Sequence, residues 1–237
     1  MEPNFNSINT GIRKMYLLFC LGMIAMLFYS CESTTVLLAN FNLESVGSPP
    51  NTAQPTGTLT LNKGSGLITV VTAPPGVTTP NKWALISHPA QPAPETELIG
   101  NFTQWGMGSY GLLCSMNIPS SSGVVTVQFD AATGLGSFMH IDFMPEGDLR
   151  IDDNESLRFG TYPRGANFVL SVALVITETT ATADITLLGD GASGNKLVTV
   201  NPALLTVAKQ FGKCTFWVGF QHNSSFYVDD ILVTRKK

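Results

Sequence analysis

Residues 137–144 alternate an apolar face with a polar one that carries a histidine and a carboxylate. Met139, Ile141 and Phe143 occupy every second position, and His140 and Asp142 lie between them. This period of two predicts a strand with one face in a core and His140 beside Asp142 on the other. Neighbouring predicted strands add polar groups to that face by the same alternation: Gln128, Asp130, Arg150, Asp152 and Arg158.

These side chains have the chemistry that hydrogen-bonds sugar hydroxyls, so the sequence predicts a candidate ligand face. Trp105 or Trp217 would supply an apolar platform for a sugar ring. Gly106 and Gly108 flank the segment after Trp105, which favours exposure there, whereas Trp217, like Trp83, lies in a strand-like run more typical of a core. The alternative is a solvated sheet face with cross-strand ion pairs, and alternation alone does not separate the two.

Known catalytic motifs are missing from the sequence. Retaining glycosidases place two carboxylates on one strand as Glu-x-Asp-x-x-Glu or Glu-x-Asp-x-Glu, and neither pattern occurs. Glu146 and Asp148 have the first spacing, but Pro145 and Gly147 predict a turn there. No Gly-x-Ser-x-Gly elbow occurs either. A non-catalytic protein is therefore favoured, with a glycan-active hydrolase or lyase that uses His140, Asp142 and Arg158 as the alternative.

The elements that would position these residues are strands. Residues 124–130, 137–144, 168–177, 181–187, 214–220 and 226–234 all read as strands, and 152–155 reads as a hairpin turn. The apolar run 168–177 predicts a central strand covered on both faces. Residues 202–211 are the single helical candidate, with Pro202 near the start and Gly212 just after the end.

Two cysteines, Cys114 and Cys214, lie in apolar strand-like runs. Their number would allow one disulfide in an exported protein, but buried cysteine also acts as a small hydrophobe. We predict two buried thiols rather than a bridge.

The N-terminal segment has the layout of a secretory signal. Arg13 and Lys14 precede an apolar run over 15–29, and Ser30 stands before Cys31. Residues 27–31 resemble a bacterial lipobox, whose cysteine is lipidated and becomes the first mature residue. We therefore predict a signal peptide over 1–30, lipidation (palmitate) at Cys31 and a single domain over 31–237. The predicted location is the cell envelope, with a lipid anchor in the outer membrane or at the cell surface. A simple cleaved signal peptide and an uncleaved membrane anchor are the alternatives.

The charge of the chain argues against one class of partner. The formal net charge is −4, and after residue 30 the only basic cluster is at 235–237. Nucleic-acid-binding proteins concentrate Lys and Arg on one face, so no nucleic-acid partner is predicted.

Both ends of the predicted domain resemble one family. Residues 38–49 (LANFNLESVGSP) resemble the opening motif of many exported bacterial domains related to concanavalin A, the glucanases and laminin G. Residues 226–234 (FYVDDILVT) resemble their final strand, and 168–172 with 180–183 resemble a hairpin between them. The resemblance implies an all-β, two-sheet antiparallel β-sandwich (a concanavalin A-like jelly roll) in which the segment 36–41 lies near 227–233.

The resemblance predicts the fold but not the function, because lectins, glycan hydrolases and modules without activity all have this sandwich fold. The favoured interpretation is a membrane-anchored, lectin-like protein that binds carbohydrate or another envelope component. A structural envelope lipoprotein with no small ligand is the remaining alternative.

Related domains also hold a structural calcium ion between a carboxylate of the opening motif and one of the closing strand. The resemblance implies Glu44 and Asp229 as ligands here, with Asp230 as the substitute if the strand bulges. Consecutive residues of a strand face opposite sides, so one of the two aspartates should point inward and need a cation or hydrogen-bond donors. Backbone N–H groups near Asn42 are the alternative partner.

Overall fold

The computed structural model describes residues 33–64, 66–77, 81–89, 94–103, 106–131, 137–199, 211–219 and 223–236. Fifteen β-strands are the only regular elements in these ranges. They are β1 (Ser33–Ala39), β2 (Thr58–Asn62), β3 (Leu67–Thr72), β4 (Lys82–His88), β5 (Thr96–Asn101), β6 (Gly108–Asn117), β7 (Val125–Ala131), β8 (Ser137–Phe143), β9 (Asp148–Ile151), β10 (Asn154–Thr161), β11 (Asn167–Ile176), β12 (Ala181–Leu188), β13 (Asn195–Thr199), β14 (Phe211–Val218) and β15 (Ser224–Lys236).

Two antiparallel sheets contain these strands. Sheet A has eight strands in the order β13-β12-β11-β6-β15-β4-β3, with β1 paired to β15. Sheet B has seven, in the order β10-β9-β8-β7-β14-β5-β2. About half of the neighbouring strands are distant in sequence, as in a sandwich whose chain crosses repeatedly between layers. The predicted all-β, two-sheet antiparallel sandwich is confirmed.

One hydrophobic core fills the space between the sheets. Alternation places Val125, Val127 and Phe129 of β7 in it, each fully buried. Phe211, at the start of β14, packs edge-on against Phe102 with ring centroids 5.0 Å apart. Since aromatic side chains bury large apolar areas, this end of the core is strongly stabilised.

Two predictions about single elements need correction. Strand β11 is covered on one face only, because Ala173 and Val175 point outward and Val175 is 39% exposed. Its apolar residues on that face are mostly small, and no further layer of the described chain packs on them. The helical candidate at 202–211 lies outside the described residues except for Phe211, which begins a strand.

The ends of the domain pair directly, as predicted. Strand β1 runs antiparallel to β15, with Ser33 opposite Lys236 and Ala39 opposite Ile231. Strand β15 also pairs with β6 and β4, so it lies inside sheet A. Its pairing with β6 shifts between Asp229 and Leu232, where Asp230 has a φ of 50°. The strand therefore bulges at the aspartate pair.

Both cysteines of the sandwich are free and buried, which confirms the prediction of two thiols. Burial raises the pKa of Cys214 to about 12 and that of Cys114 well above its usual value. Neither thiol is ionised near neutral pH, so neither is a reactive nucleophile.

The signal segment and Cys31 lie outside the described residues. Within the described ranges, no helix has both the length and the hydrophobicity that a membrane crossing requires.

Candidate functional site

The outward side of sheet B, called here the polar face, carries three rows of side chains set by strand register. The first row is Arg150, Asp142, Thr126, Trp217, Glu97 and Asn62. The second row is His140, Gln128, Thr215, Ile99 and Thr60. The third row is Asp130, Lys213, Asn101 and Thr58. Trp217 and Ile99 are the two large apolar side chains in these rows.

His140 and Asp142 are neighbours on this face. The Nδ1 atom of His140 lies 2.9 Å from Oδ2 of Asp142, and Nε2 lies 3.6 Å from Oδ1 of Asp152. Burial opposes the charged imidazole, but the hydrogen bond and charge of Asp142, with the charge of Asp152, outweigh it and raise the pKa of His140. The imidazole therefore carries a positive charge more readily than a free histidine does.

The carboxylate of Asp142 is almost fully enclosed by donors. Thr126 Oγ1 donates to Oδ1 over 2.7 Å, and the backbone N–H of Asp153 donates to Oδ2 over 2.8 Å. Burial acts to raise the pKa of Asp142, but these hydrogen bonds and that of His140 lower it overall. Asp142 thus stays ionised and acts as the centre of a local network.

The turn between β9 and β10 supplies two further hydrogen bonds to the network around Asp142 and His140. Asp152 and Asp153 have φ angles of 53° and 52°, the pattern of a type I′ hairpin turn. The predicted hairpin is present, but its turn is 152–153, and residues 154 and 155 of the predicted turn begin β10. Its geometry directs the Asp153 N–H to Asp142 and the Asp152 carboxylate to the backbone N–H of His140, over 2.8 Å.

Arg150 and Arg158 lie on the polar face, but acidic side chains hold both guanidinium groups. Arg150 Nη2 is 2.7 Å from Glu155 Oε2. Arg158 Nε is 2.9 Å from Oδ2 of Asp148, a carboxylate that is almost fully buried. The hairpin brings these four residues into one ion-pair cluster, which the strand-like alternation of β9 and β10 alone did not indicate.

A depression opens between β5, β7, β8 and β14 beside Trp217. Its volume is about 260 Å³, and it is lined by Glu97, Ile99, Gln128, Asp130, Ser137, Lys213 and Thr215. Gln128 Nε2 donates to Asp130 Oδ1 over 2.6 Å, and Thr215 Oγ1 donates to Oδ2 over 3.1 Å. Of the predicted ligand residues, Gln128 therefore lies in the depression next to His140.

Sequence reasoning undervalued Trp217 and missed Glu97, Lys213 and Thr215. Trp217 is partly exposed on the polar face, in register with Thr126 and Glu97, and is not a core residue. The sequence pattern could have placed Trp217 on this face. Lys213 and Thr215 alternate with core residues, and Trp217 is two residues further along the same side of the strand. Trp83 is buried, as predicted, and Trp105 lies outside the described residues.

The three residues proposed for calcium hold different partners. Asp229 is fully buried, and its Oδ2 accepts a hydrogen bond from Asn81 Nδ2 over 2.6 Å. Asp230 accepts one from Asn40 Nδ2 over 2.5 Å. The carboxylate of Glu44 instead accepts the backbone N–H of Asn51 over 2.8 Å.

A cation fits part of this arrangement. The N–H groups of Phe41 and Asp230 are close enough to moderate the pKa of Asp229, yet its Oδ1 has no partner with hydrogen-bond geometry among the described residues. An orphaned buried oxygen suits a calcium ligand. Lys82 Nζ, however, donates to the Glu44 carbonyl over 2.6 Å, so an ammonium already contacts this loop. Across the described ranges, no three His, Cys, Asp or Glu side chains cluster as a metal site.

Comparison with solved structures identifies the fold. The chain is similar to part of a sialidase (TM-score 0.59, 8% identity, 84% of this chain), and it spans 18% of the length of that protein. It is also similar to a GH131 beta-glucanase catalytic domain from Podospora anserina (TM-score 0.52, 14% identity, 84% of this chain and 95% of that one). A third match is the CBM2 module of the evolved Dit of Lactobacillus casei BL23 phage J-1 (TM-score 0.50, 14% identity, 87% and 97% covered).

These likenesses show the fold alone, which is the concanavalin A-like jelly-roll sandwich that the sequence motifs implied. No protein-family model matches the chain, and no curated protein matches it.

Proposed function

We propose that this protein is an exported, lipid-anchored, lectin-like domain that binds carbohydrate on the polar face of sheet B. One observation carries the proposal. Trp217 is a partly exposed aromatic side chain in the middle of a mostly polar sheet face, between Thr126 and Glu97. The fold is consistent with this function, since it also occurs in a beta-glucanase and in a carbohydrate-binding module.

The physical case rests on the combination of a flat ring and fixed polar groups. One face of a pyranose ring is apolar and packs on an aromatic side chain, while its hydroxyls need donors and acceptors around the rim. Next to Trp217, the depression offers Glu97, Gln128 and Lys213. Asp130 is held by Gln128 and Thr215, so this rim is preorganised and loses little side-chain entropy on binding.

Binding is favoured over cleavage because the carboxylates of this face are already engaged. A glycosidase needs a general acid whose pKa is raised. Asp142, the most enclosed carboxylate beside His140, has a lowered pKa. A hydrolase or lyase is therefore the weaker candidate. A reducing-sugar assay on the purified protein would detect it.

The anchor belongs to the same proposal. Lipidation of Cys31 would place the sandwich at a bilayer surface, because β1 begins at Ser33, two residues later. A lipid-anchored binding domain at the cell envelope would hold a polysaccharide close to the membrane.

The deciding experiment compares Trp217→Ala with a matched control on a glycan microarray. Tyr227 is a partly exposed aromatic residue on the outer side of sheet A, so Tyr227→Ala removes an equivalent side chain away from the polar face. We expect wild type and Tyr227→Ala to bind the same glycans and Trp217→Ala to lose at least tenfold in affinity, with similar melting temperatures for all three. Binding by Trp217→Ala that equals that of the wild type would refute the proposed site. Absence of wild-type binding to every glycan on the array would refute carbohydrate binding.

A further inference from the structure

The charges of the polar face are unequal in number. Its carboxylates are Glu97, Asp130, Asp142, Asp148, Asp152, Asp153 and Glu155, and its permanently charged cations are Arg150, Arg158 and Lys213. The acids outnumber the bases even when His140 is protonated. A ligand that approaches this face therefore meets a negative potential.

The two arginines are already paired with acidic side chains of the same hairpin. Guanidinium groups recognise carboxylate or sulfate through pairs of parallel hydrogen bonds. Here the Nη2 atom of Arg150 is 2.7 Å from Glu155, and the Nε atom of Arg158 is 2.9 Å from Asp148. Both positive charges are already neutralised within the hairpin of β9 and β10.

Lys213 is the remaining cation of the depression, and it has no ion-pair partner among the residues described. Glu97 and Asp130 line the same depression. Asp130 is also directly opposite Lys213 in the pairing of β14 with β7. One ammonium beside two carboxylates does not make an anion site, but it adds a hydrogen-bond donor for a hydroxyl.

We propose that the polar face selects uncharged polysaccharides and excludes uronate-containing and sulfated ones, an inference that rests on the proposed carbohydrate binding. Ionised carboxylates accept hydrogen bonds from sugar hydroxyls but repel anions at the same distance. Trp217 packs on the ring of a neutral sugar without any charge requirement. The ligand class is therefore a neutral polysaccharide.

The test is affinity electrophoresis of the full-length protein in detergent, through gels that contain one polysaccharide each. Laminarin, mixed-linkage glucan, mannan and galactan are the neutral probes, and alginate, polygalacturonate and carrageenan are the acidic ones. We expect at least one neutral probe to retard the protein, with loss of retardation in Trp217→Ala, and no acidic probe to do so at low or physiological salt. Retardation by an acidic probe that depends on Trp217 would overturn this inference and leave carbohydrate binding intact. Retardation by none would overturn both.

A gain-of-binding variant tests the role of the neutralised arginines. Glu155 is a 65% exposed side chain, so Glu155→Gln should fold normally while it removes one negative charge and the closer of the two acidic partners of Arg150, which keeps Asp148 at 3.7 Å. We expect alginate to retard Glu155→Gln measurably at low salt, where it does not retard the wild type, with less retardation at higher salt because of screening. Retardation by the neutral probe should be unchanged. The matched control is Glu178→Gln, an exposed acid in the turn after β11. An identical response of wild type, Glu155→Gln and Glu178→Gln to alginate would count against the inference.

Discussion

Asn81 donates its side-chain amide to the buried carboxylate of Asp229 over 2.6 Å, and these residues are 148 positions apart in the chain. The contact ties the segment before β4 to the bulge of β15. It satisfies one carboxylate oxygen only, and the second has no hydrogen-bond partner among the described residues. Burial raises the pKa of Asp229 to about 6.

This pKa predicts that wild-type stability falls as pH rises. Unfolded Asp229 ionises near pH 4, whereas folded Asp229 ionises near pH 6, so the folded state binds more protons between these values. With a chelator present, Asp229→Asn should raise the free energy of unfolding by about 2–3 kcal/mol at pH 8 and leave it unchanged at pH 4. Urea unfolding at both pH values measures this. Asp230→Asn, on the exposed side of the bulge, is the control, and a destabilised Asp229→Asn at pH 8 would show that the carboxylate is not strained.

Calcium would reverse the effect of that substitution. A cation at Asp229 would compensate the buried charge, so we expect calcium to raise the melting temperature of wild type at pH 8 and a chelator to lower it. Asp229→Asn should lose this response. Melting curves that are identical with calcium and chelator, together with no bound ion by elemental analysis, would exclude the site.

His140 should give a pH dependence of the same sign as that of Asp229, and its partner Asp142 one of the opposite sign. The raised pKa of His140 stabilises the fold at pH below about 6.5, and this contribution disappears as pH rises through the folded pKa. The lowered pKa of Asp142 contributes above about pH 4 and is lost on further acidification. The difference in melting temperature between wild type and His140→Gln should therefore be largest near pH 5–6 and shrink towards pH 8. A difference that is constant over this range would mean that the imidazole charge is irrelevant to stability.

The turn at Asp152 and Asp153 offers a matched pair of substitutions. Both residues have a positive φ, which glycine adopts at lower cost. Asp153 contributes a backbone N–H to Asp142, so Asp153→Gly should keep that bond and stabilise the protein by about 0.5–1 kcal/mol. Asp152→Gly removes the side chain that accepts the His140 N–H and should gain less. Chemical denaturation of both variants would show the order, and a larger gain for Asp152→Gly would refute it.

Lipidation of Cys31 remains a prediction from the sequence. Mass spectrometry of the membrane fraction should find an acylated Cys31 at the mature N-terminus, and Cys31→Ala should shift the protein out of that fraction. Cys114→Ala is the control, since Cys114 is buried in the core. An unmodified N-terminus at another position in a soluble mature form would contradict the lipoprotein interpretation.

The outward placement of His140, Asp142 and Gln128 could be predicted from sequence because alternation encodes the face of a strand directly. The partners of Arg150 and Arg158 could not be predicted, since they depend on the register of a hairpin set by two residues with positive φ. Trp217 was predicted to favour the core because its neighbours in sequence are apolar. Its position on the same side of the strand as Lys213 and Thr215 indicated the polar face instead. The prediction that β11 is covered on both faces was wrong for a related reason. Ala173 and Val175 occur in strands whether or not another layer of the protein packs on them.

The pairing of β1 with β15 has a mechanical consequence. In a lipidated protein that holds a polysaccharide on sheet B, tension between membrane and ligand would enter the sandwich at Ser33 and leave through the opposite sheet. The first bonds to carry that force are those of the β1–β15 ladder, from Ser33–Lys236 to Ala39–Ile231. Bonds pulled along the strand direction share the force, whereas those pulled across it break one after another. The angle at which the lipid-anchored segment pulls on Ser33 would thus determine how long β1 stays paired with β15 under tension.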